Sequence, residues 1–210
     1  MARRNSSRTL VILAVLGAAL MAATSPAQAI SFNFTSDHCT GGCGTAPFGT
    51  VVLTQNGANV DITVTLAAGY TYAQTGAADG QIFKFNGVGV ALADIVVGAH
   101  VPALVAATGA FNGDGTGNFT FGINCPTCGN GPTGFGGAVS FTVDNATIAD
   151  LTHANNLGNL FVADVLAPNG NTGPVDVTAP VPEPASLLLV GTALAGLGAW
   201  GWRRSKKTTI

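Results

Sequence analysis

A stretch of strict alternation decides the fold class: residues 59–66 read NVDITVTL. Its four apolar residues, at every second position from Val60 to Leu66, would lie on one face of a strand, with the polar residues on the other. Period-two alternation of this kind indicates a strand with one buried and one solvated face. The sequence therefore predicts a sheet that covers a core on one side.

Similar runs recur along the chain at short intervals, separated by turns rich in glycine and asparagine. Strands at this spacing predict an all-β fold, an antiparallel β-sandwich of the jelly-roll or immunoglobulin-like kind. The runs cover residues 31–35, 50–55, 81–86, 118–123, 138–143 and 160–166. Residues 147–157 break the alternation and predict a short helix or turn before the last of these strands.

The phenylalanines indicate where the core lies. All eleven occur between residues 32 and 161. In Phe83 with Phe85, and in Phe119 with Phe121, two rings are two residues apart and share one face of a strand. We therefore expect these two pairs to be buried in the core.

Charge is distributed unevenly along the chain. The formal net charge is only −2, yet seven of the eight basic residues lie at the two ends, with Lys84 as the exception. Residues 30–180 hold nine aspartates against that one lysine, a formal charge of −8. Because such a surface cannot neutralise phosphates, nucleic-acid binding is excluded.

The N-terminus has the three-part layout of a secretory signal peptide, which we predict for residues 1–29. Three arginines precede an apolar run at residues 10–23, and Ala27 and Ala29 are small enough for the cleavage pockets. We expect signal peptidase to cut before Ile30. An uncleaved anchor helix is the alternative, but this run is shorter than the roughly 20 residues that span a bilayer.

The C-terminus, residues 181–207, combines three features in a fixed order. Pro182, Glu183 and Pro184 come first. An apolar run at about residues 185–202 follows, which is long enough for one transmembrane helix. The basic tail at residues 203–207 begins with Arg203 and Arg204, and the positive-inside rule keeps it in the cytoplasm.

This order of features strongly resembles the PEP-CTERM sorting signal of Gram-negative bacteria. The resemblance implies that an exosortase in the membrane recognises the Pro-Glu-Pro motif and processes the protein near it. It also implies an association with exopolysaccharide, with biofilm and with the cell surface. The resemblance covers about 30 residues and does not describe residues 30–180. A plain membrane anchor behind a proline-rich spacer is the alternative.

These features divide the chain into four segments. We predict the signal peptide at residues 1–29, the β-sandwich ectodomain at 30–171, a linker at 172–180 and the sorting signal at 181–207. The linker is expected because residues 172–180 contain two prolines. The protein should be exported, anchored transiently in the inner membrane, and finally located at the cell surface or outside the cell.

Four cysteines form two close pairs, Cys39 with Cys43 and Cys125 with Cys128. An even number in an exported chain predicts two disulfides, while the sequence leaves all three pairings open. A zinc site that includes His38 and a redox-active Cys-x-x-Cys are the alternatives. Neither the spacing nor the strand-rich context favours them.

Two segments are candidates for ligand binding. Residues 112–118 read NGDGTGN, and loops of this kind present oxygen ligands to Ca²⁺. The sequence favours a flexible turn here, and a Ca²⁺ site is the alternative, with Asn112, Asp114, Thr116 and Asn118 as its candidate ligands. Tyr70 and Tyr72 would share one face of a strand and are candidate carbohydrate contacts. We expect no cofactor, with Ca²⁺ at residues 112–118 as the alternative.

No motif indicates catalysis. The chain lacks a Gly-x-Ser-x-Gly elbow, and Ser140 lies within a predicted strand. Residues 30–180 contain no glutamate to pair with an aspartate as in most glycosidases. We therefore expect a structural or adhesive protein rather than an enzyme. A surface carbohydrate-binding module is the alternative, and a secreted hydrolase that uses aspartates is a third.

Overall fold

The computed structural model describes residues 28–74, 80–128 and 131–178, and these residues are almost entirely β-structure. They contain a four-residue helix, α1 (Ile148–Leu151), and a 3₁₀ turn at Leu92–Asp94. The strands are β1 (Ala29–Phe34), β2 (Ser36–Asp37), β3 (Gly49–Asn56), β4 (Asn59–Leu66), β5 (Thr71–Gln74), β6 (Gln81–Phe85), β7 (Ile95–Val97), β8 (Val105–Asn112), β9 (Asn118–Asn124), β10 (Gly131–Phe135), β11 (Val139–Val143), β12 (Asn159–Leu166) and β13 (Thr172–Thr178).

The strands form two antiparallel sheets. The five-stranded sheet has the order β1-β3-β4-β11-β7. In the eight-stranded sheet, β12 pairs along one edge with β13, and β5 and β6 share its other edge. Beyond these lie β10 next to β5, β9 next to β6, β8 next to β9, and β2 next to β13. The prediction of an all-β, antiparallel fold is confirmed.

The two sheets pack on each other through aromatic rings. Phe141 of the five-stranded sheet lies with its ring centroid 5.4 Å from Phe85 and 6.0 Å from Phe83 of the other sheet. Phe32 meets Phe161 in the same way, at 5.5 Å. Tilted and offset pairs at these distances suit the quadrupoles of the rings. Burial of both predicted phenylalanine pairs, Phe83 with Phe85 and Phe119 with Phe121, is confirmed.

The alternating segment that predicted the sheet forms β4 without any shift in its bounds. Val60, Ile62 and Val64 are buried, and its polar residues are half-buried or exposed. The predicted short helix is α1, whose first turn is capped by the Thr147 side chain accepting a hydrogen bond from the Asp150 backbone N–H. A capping residue of this type satisfies a backbone donor that a helix start leaves free.

The predicted linker at residues 172–180 is wrong for residues 172–178, because these form β13. Residues 173–177 are buried, and β13 pairs with β12 along its length. Pro174 lies within the strand, and its carbonyl oxygen accepts a hydrogen bond from the His38 backbone N–H at 2.9 Å. The missing N–H of a proline does not prevent this, although two prolines in nine residues are typical of a linker.

Several predictions fall on residues that the structure leaves undescribed. These are the signal peptide up to residue 27, the transmembrane helix at about 185–202 and the basic tail at 203–207. Among the described residues, no helix is long and apolar enough to cross a membrane. Ala29 begins β1, so the predicted cut before Ile30 would fall one residue inside this strand.

Candidate functional site

All four cysteines form disulfides between near neighbours in the chain. Cys39 pairs with Cys43 in the loop before β3, with the Cα atoms 5.2 Å apart. Cys125 pairs with Cys128 just after β9, with the Cα atoms 5.4 Å apart. The predicted two bridges are thus confirmed, and the structure selects the local pairing among the three. A zinc site would need free thiolates, which bridged sulfurs cannot supply.

A hydrogen-bonded pair, His38 and Asp176, lies beside the first disulfide. His38 follows β2, Asp176 belongs to β13, and the distance from Nε2 to Oδ2 is 2.9 Å. Asp176 is only 1% exposed. Burial raises the pKa of the Asp176 carboxyl, while the charge of His38 and hydrogen bonds from His38 and Ser36 act in the opposite direction. Sequence reasoning missed this pair, although Asp176 stands between two valines in a strand-like run.

The candidate Ca²⁺ loop is a turn that joins β8 to β9 and is closed by its own hydrogen bonds. The Thr116 hydroxyl is buried and donates to the Gly113 carbonyl at 2.6 Å. Asn112 Oδ1 accepts a hydrogen bond from the Asp114 backbone N–H at 3.0 Å. The Ca²⁺ alternative is therefore wrong for Thr116, whose oxygen points into the protein. The segment is a turn rich in glycine and asparagine, as the favoured interpretation has it.

The far side of this turn is held by two asparagine side chains. Nδ2 of Asn155 and Nδ2 of Asn159 donate to the Thr116 carbonyl oxygen, at 2.7 and 2.9 Å. The backbone N–H of Asn118 donates to Oδ1 of Asn156 at 3.3 Å. The side-chain amides of Asn155 and Asn159 thus hold the start of β12 and the segment before it against the turn between β8 and β9.

The two candidate carbohydrate-contacting tyrosines do not form a shared platform. Tyr72 is fully buried, and its hydroxyl donates to the Val64 carbonyl at 2.8 Å. Burial raises the pKa of the Tyr72 hydroxyl. Tyr70 is half-buried, and its hydroxyl donates to the Cys43 carbonyl at 2.8 Å. The prediction is wrong for Tyr72, because a sugar ring cannot reach a side chain with no exposed surface.

Ser140 lies on the outer, solvated face of the five-stranded sheet, in an open groove. Its Oγ is 3.2 Å from Oγ1 of Thr63, and the hydroxyl of Thr142 donates to Asp61 Oδ1 at 2.7 Å. None of the described residues that line this groove is a histidine. Hydroxyl–hydroxyl pairs across neighbouring strands are typical of a solvated sheet face rather than of an activated nucleophile.

A buried ion pair joins two strands of the eight-stranded sheet. Lys84 on β6 is 1% exposed, and its Nζ lies 3.1 Å from Oδ2 of Asp164 on β12. Nζ also donates to the Gln81 carbonyl at 3.2 Å. The sequence offered one signal for it, since Lys84 is the only basic residue within residues 30–180.

Comparison with known proteins bears on the segment that follows β13. The chain has no match among curated proteins or among solved structures. Residues 180–205 match the family model of the PEP-CTERM protein-sorting motif. This range includes Pro182, Glu183, Pro184, Arg203 and Arg204, the residues that carry the predicted signal. The chain therefore carries a PEP-CTERM sorting motif, which marks it as an exported protein that an exosortase processes at the membrane.

Proposed function

We propose that this protein is a structural or adhesive component of the cell surface or extracellular matrix, associated with exopolysaccharide, and not an enzyme. The observation that carries the proposal is the sorting motif at residues 180–205, which begins two residues after β13 ends. A β-sandwich that directly precedes a processing signal is delivered, already folded, to the outside of the membrane. The surface of this folded domain then determines the role of the protein.

The candidate reactive groups described above support a structural role, because each already takes part in a disulfide, an ion pair or a hydrogen bond within the fold. The cysteines are bridged, and Lys84 and Asp164 are buried together. Asp176 is buried against His38, and Ser140 lies within hydrogen-bonding distance of Thr63. Groups that catalyse reactions are expected to be accessible and to converge in a cleft. The carbohydrate-binding alternative has lost its aromatic platform with the burial of Tyr72.

The acidic body suits a matrix that is held together by cations. Residues 30–180 carry a formal charge of −8. Two of those aspartates, Asp164 and Asp176, are buried, while the charges that remain at the surface attract divalent cations from solution. Acidic polysaccharides attract the same cations, so shared cations would hold the protein within such a matrix.

The sorting step is tested by Glu183→Ala in the exporting bacterium. Glu183 is the acidic residue of the Pro-Glu-Pro motif, so its loss should block tail processing and leave the protein in the membrane fraction. Thr178→Ala, at an exposed position just before the matched segment, is the control and should be delivered as the wild type is. Unchanged processing and surface delivery of Glu183→Ala would contradict sorting through this motif.

The matrix role is tested separately by fractionation of the extracellular polysaccharide. The processed protein should remain with the isolated polysaccharide in the presence of Ca²⁺ and be released when a chelator removes the divalent cations. If the processed protein washes free in Ca²⁺-containing buffer, the association with exopolysaccharide is wrong, whatever the outcome for Glu183→Ala.

A further inference from the structure

An open groove of about 340 Å³ crosses three strands on the outer face of the five-stranded sheet. The strands are β4, β11 and β7, and in their register Thr142 lies between Asp61 and Val96. Gly98, just after β7, also lines the groove, and a Cβ at this glycine would meet no atom within 4 Å. The missing side chain at Gly98 therefore keeps this part of the groove open.

Asp61 presents two fixed hydrogen-bond acceptors in the groove. Its Oδ1 accepts a hydrogen bond from the Thr142 hydroxyl at 2.7 Å, and its Oδ2 accepts one from the Asn56 side-chain amide at 3.1 Å. These two bonds, one to each oxygen, hold the carboxylate in one orientation. Because a carboxylate has about four lone-pair sites, each oxygen can accept one more hydrogen bond. The groove therefore suits a ligand with two adjacent donors.

The remaining lining groups define the rest of the ligand. The hydroxyl oxygens of Thr63 and Ser140 lie 3.2 Å apart, and each hydroxyl can donate or accept. Val96 is 49% exposed and provides an apolar surface in the same groove. A fitting ligand therefore combines several hydroxyl groups with an apolar face.

The charge of the groove selects against anions and against peptides. Asp61 is the only charged residue among the described residues that line it, and residues 30–180 carry a formal charge of −8. An acidic ligand would be repelled, whereas hydroxyl donors bind a carboxylate more strongly than they bind a neutral acceptor. A peptide would bring backbone carbonyls, which only accept hydrogen bonds, against the Asp61 carboxylate. A sugar ring offers adjacent hydroxyls as donors and a C–H face for Val96.

We propose that this groove binds a neutral segment of a polysaccharide chain. Two adjacent hydroxyls of one sugar ring donate to the Asp61 carboxylate, and the C–H face of the ring packs on Val96. The association with exopolysaccharide proposed above, on which this site rests, supplies the chain. An open groove covers only one side of a sugar chain, so binding at this single site is weak and rapidly reversible. Shared cations hold the protein in the matrix, and the groove selects the sugars that it contacts.

The test uses the processed protein and oligosaccharides cut from the extracellular polysaccharide of the exporting bacterium. Anion exchange separates the neutral oligosaccharides from the acidic ones, and a chelator removes divalent cations from the samples. Saturation-transfer NMR then measures the dissociation constant for each fraction. The neutral oligosaccharides should bind the wild type, and should bind it more tightly than the acidic ones do.

Two pairs of variants locate the binding in the groove. Asp61→Asn should raise the dissociation constant on the order of tenfold, because it removes the charge and one of the two acceptors. Asp114→Asn makes the same change at an exposed position outside the groove and should have no effect. Gly98→Leu should fill the groove and abolish binding, whereas Gly136→Leu, at another exposed glycine with open space around it, should not. Neither glycine has a positive φ, so leucine introduces no backbone strain.

Three results would overturn the proposal. They are a wild type that binds no neutral oligosaccharide, tighter binding of the acidic fraction, and groove variants that bind as the wild type does. Equal losses in the two control variants would place the binding elsewhere and overturn it too. If Gly98→Leu does not fold, Asp61→Asn against Asp114→Asn still decides. Retention of the protein on intact polysaccharide in Ca²⁺ is a separate measurement, so failure of the groove and failure of the matrix association can be told apart.

Discussion

At the scale of single residues, Lys84 shows how the environment changes the role of a side chain. In the sequence it is an isolated cation in an acidic domain. In the structure its side chain is buried, and Nζ lies 3.1 Å from Oδ2 of Asp164 on the neighbouring strand β12. Desolvation of two charges cancels much of their attraction, so such a pair contributes little net stability, yet losing one partner is costly.

We predict that Lys84→Met lowers the free energy of unfolding by about 3–5 kcal/mol, because Asp164 then loses its Lys84 partner in a buried site. The double variant Lys84→Met with Asp164→Leu removes both charges and should recover most of this loss. Denaturant unfolding of the exported protein measures both. If the double variant is as unstable as the single one, the buried charge is not the cause.

Asp176 gives the protein a pH dependence of the opposite sign to that of an aspartate whose pKa is lowered by a salt bridge. Burial raises its pKa above the ordinary value of 3.8. Between pH 3.8 and the raised pKa, the folded protein therefore holds a proton that the unfolded chain has released. By linkage, the contribution of Asp176 to the free energy of unfolding decreases as the pH rises through this window.

We predict that Asp176→Asn removes this decrease, as measured by thermal unfolding across the window. His38→Gln should extend the window to higher pH, because the charge of His38 is one of the factors that lower the pKa of Asp176. An Asp176→Asn protein whose stability retains the wild-type dependence on pH would show that another group is responsible.

At the scale of elements, β13 is the strand that completes the eight-stranded sheet. It lies between β12 and β2, and the Thr35 backbone N–H donates to the Asp176 carbonyl at 3.1 Å. The strand also packs tightly on the disulfide loop: a Cβ at Gly173 would lie 2.6 Å from the Cα of Cys39. Only glycine fits such a close approach of two backbones.

We predict that a chain ending after Asn171 does not reach a stable fold, whereas a chain ending after Ala179 does. The shorter chain lacks the buried residues 173–177 and leaves one whole edge of β12 without hydrogen-bond partners. Both chains keep the signal peptide and lack the sorting signal, so they differ only in β13. Protease resistance and cooperative unfolding after export measure the difference. Equal behaviour of the two would mean that β13 is dispensable.

At the scale of the whole molecule, the uneven distribution of charge along the chain reflects the export and processing of the protein. Cationic ends flank an acidic body, and the sorting motif occupies the end that follows β13. Both ends are expected to be processed. The average charge of −2 therefore describes the precursor, and the body alone carries about −8.

We predict that the mature protein begins at Ile30, lacks the apolar run and basic tail, and contains two disulfides. Mass spectrometry of the protein recovered from the cell surface or medium gives all three. Reduction should add two hydrogens for each bridge, and digestion should yield Cys39 linked to Cys43 and Cys125 linked to Cys128. A full-length N-terminus, or a peptide that crosslinks the two cysteine pairs to each other, would contradict this.

Sequence determined whatever depends on local pattern. Strict alternation in residues 59–66 gave β4 its bounds, because one solvated face forces a period of two. Predicted runs also gave β1, β3, β6, β9, β11 and β12, within a few residues at their ends. The sorting motif was equally local, since its residues are contiguous and need no partner elsewhere.

Tertiary structure alone decided which polar residues are buried and which strands pair. β13 is buried on both faces, even at Asp176 between its two valines, and the two prolines of residues 172–180, one of them beyond the strand, are typical of a linker. Pairing of β12 with β5, β6 and β13 buries a polar side chain on each of these three strands. These side chains are Tyr72, Lys84 and Asp176. Pairing between strands some 80 residues apart along the chain leaves no local trace, because burial depends on neighbours that the chain brings together only when it folds.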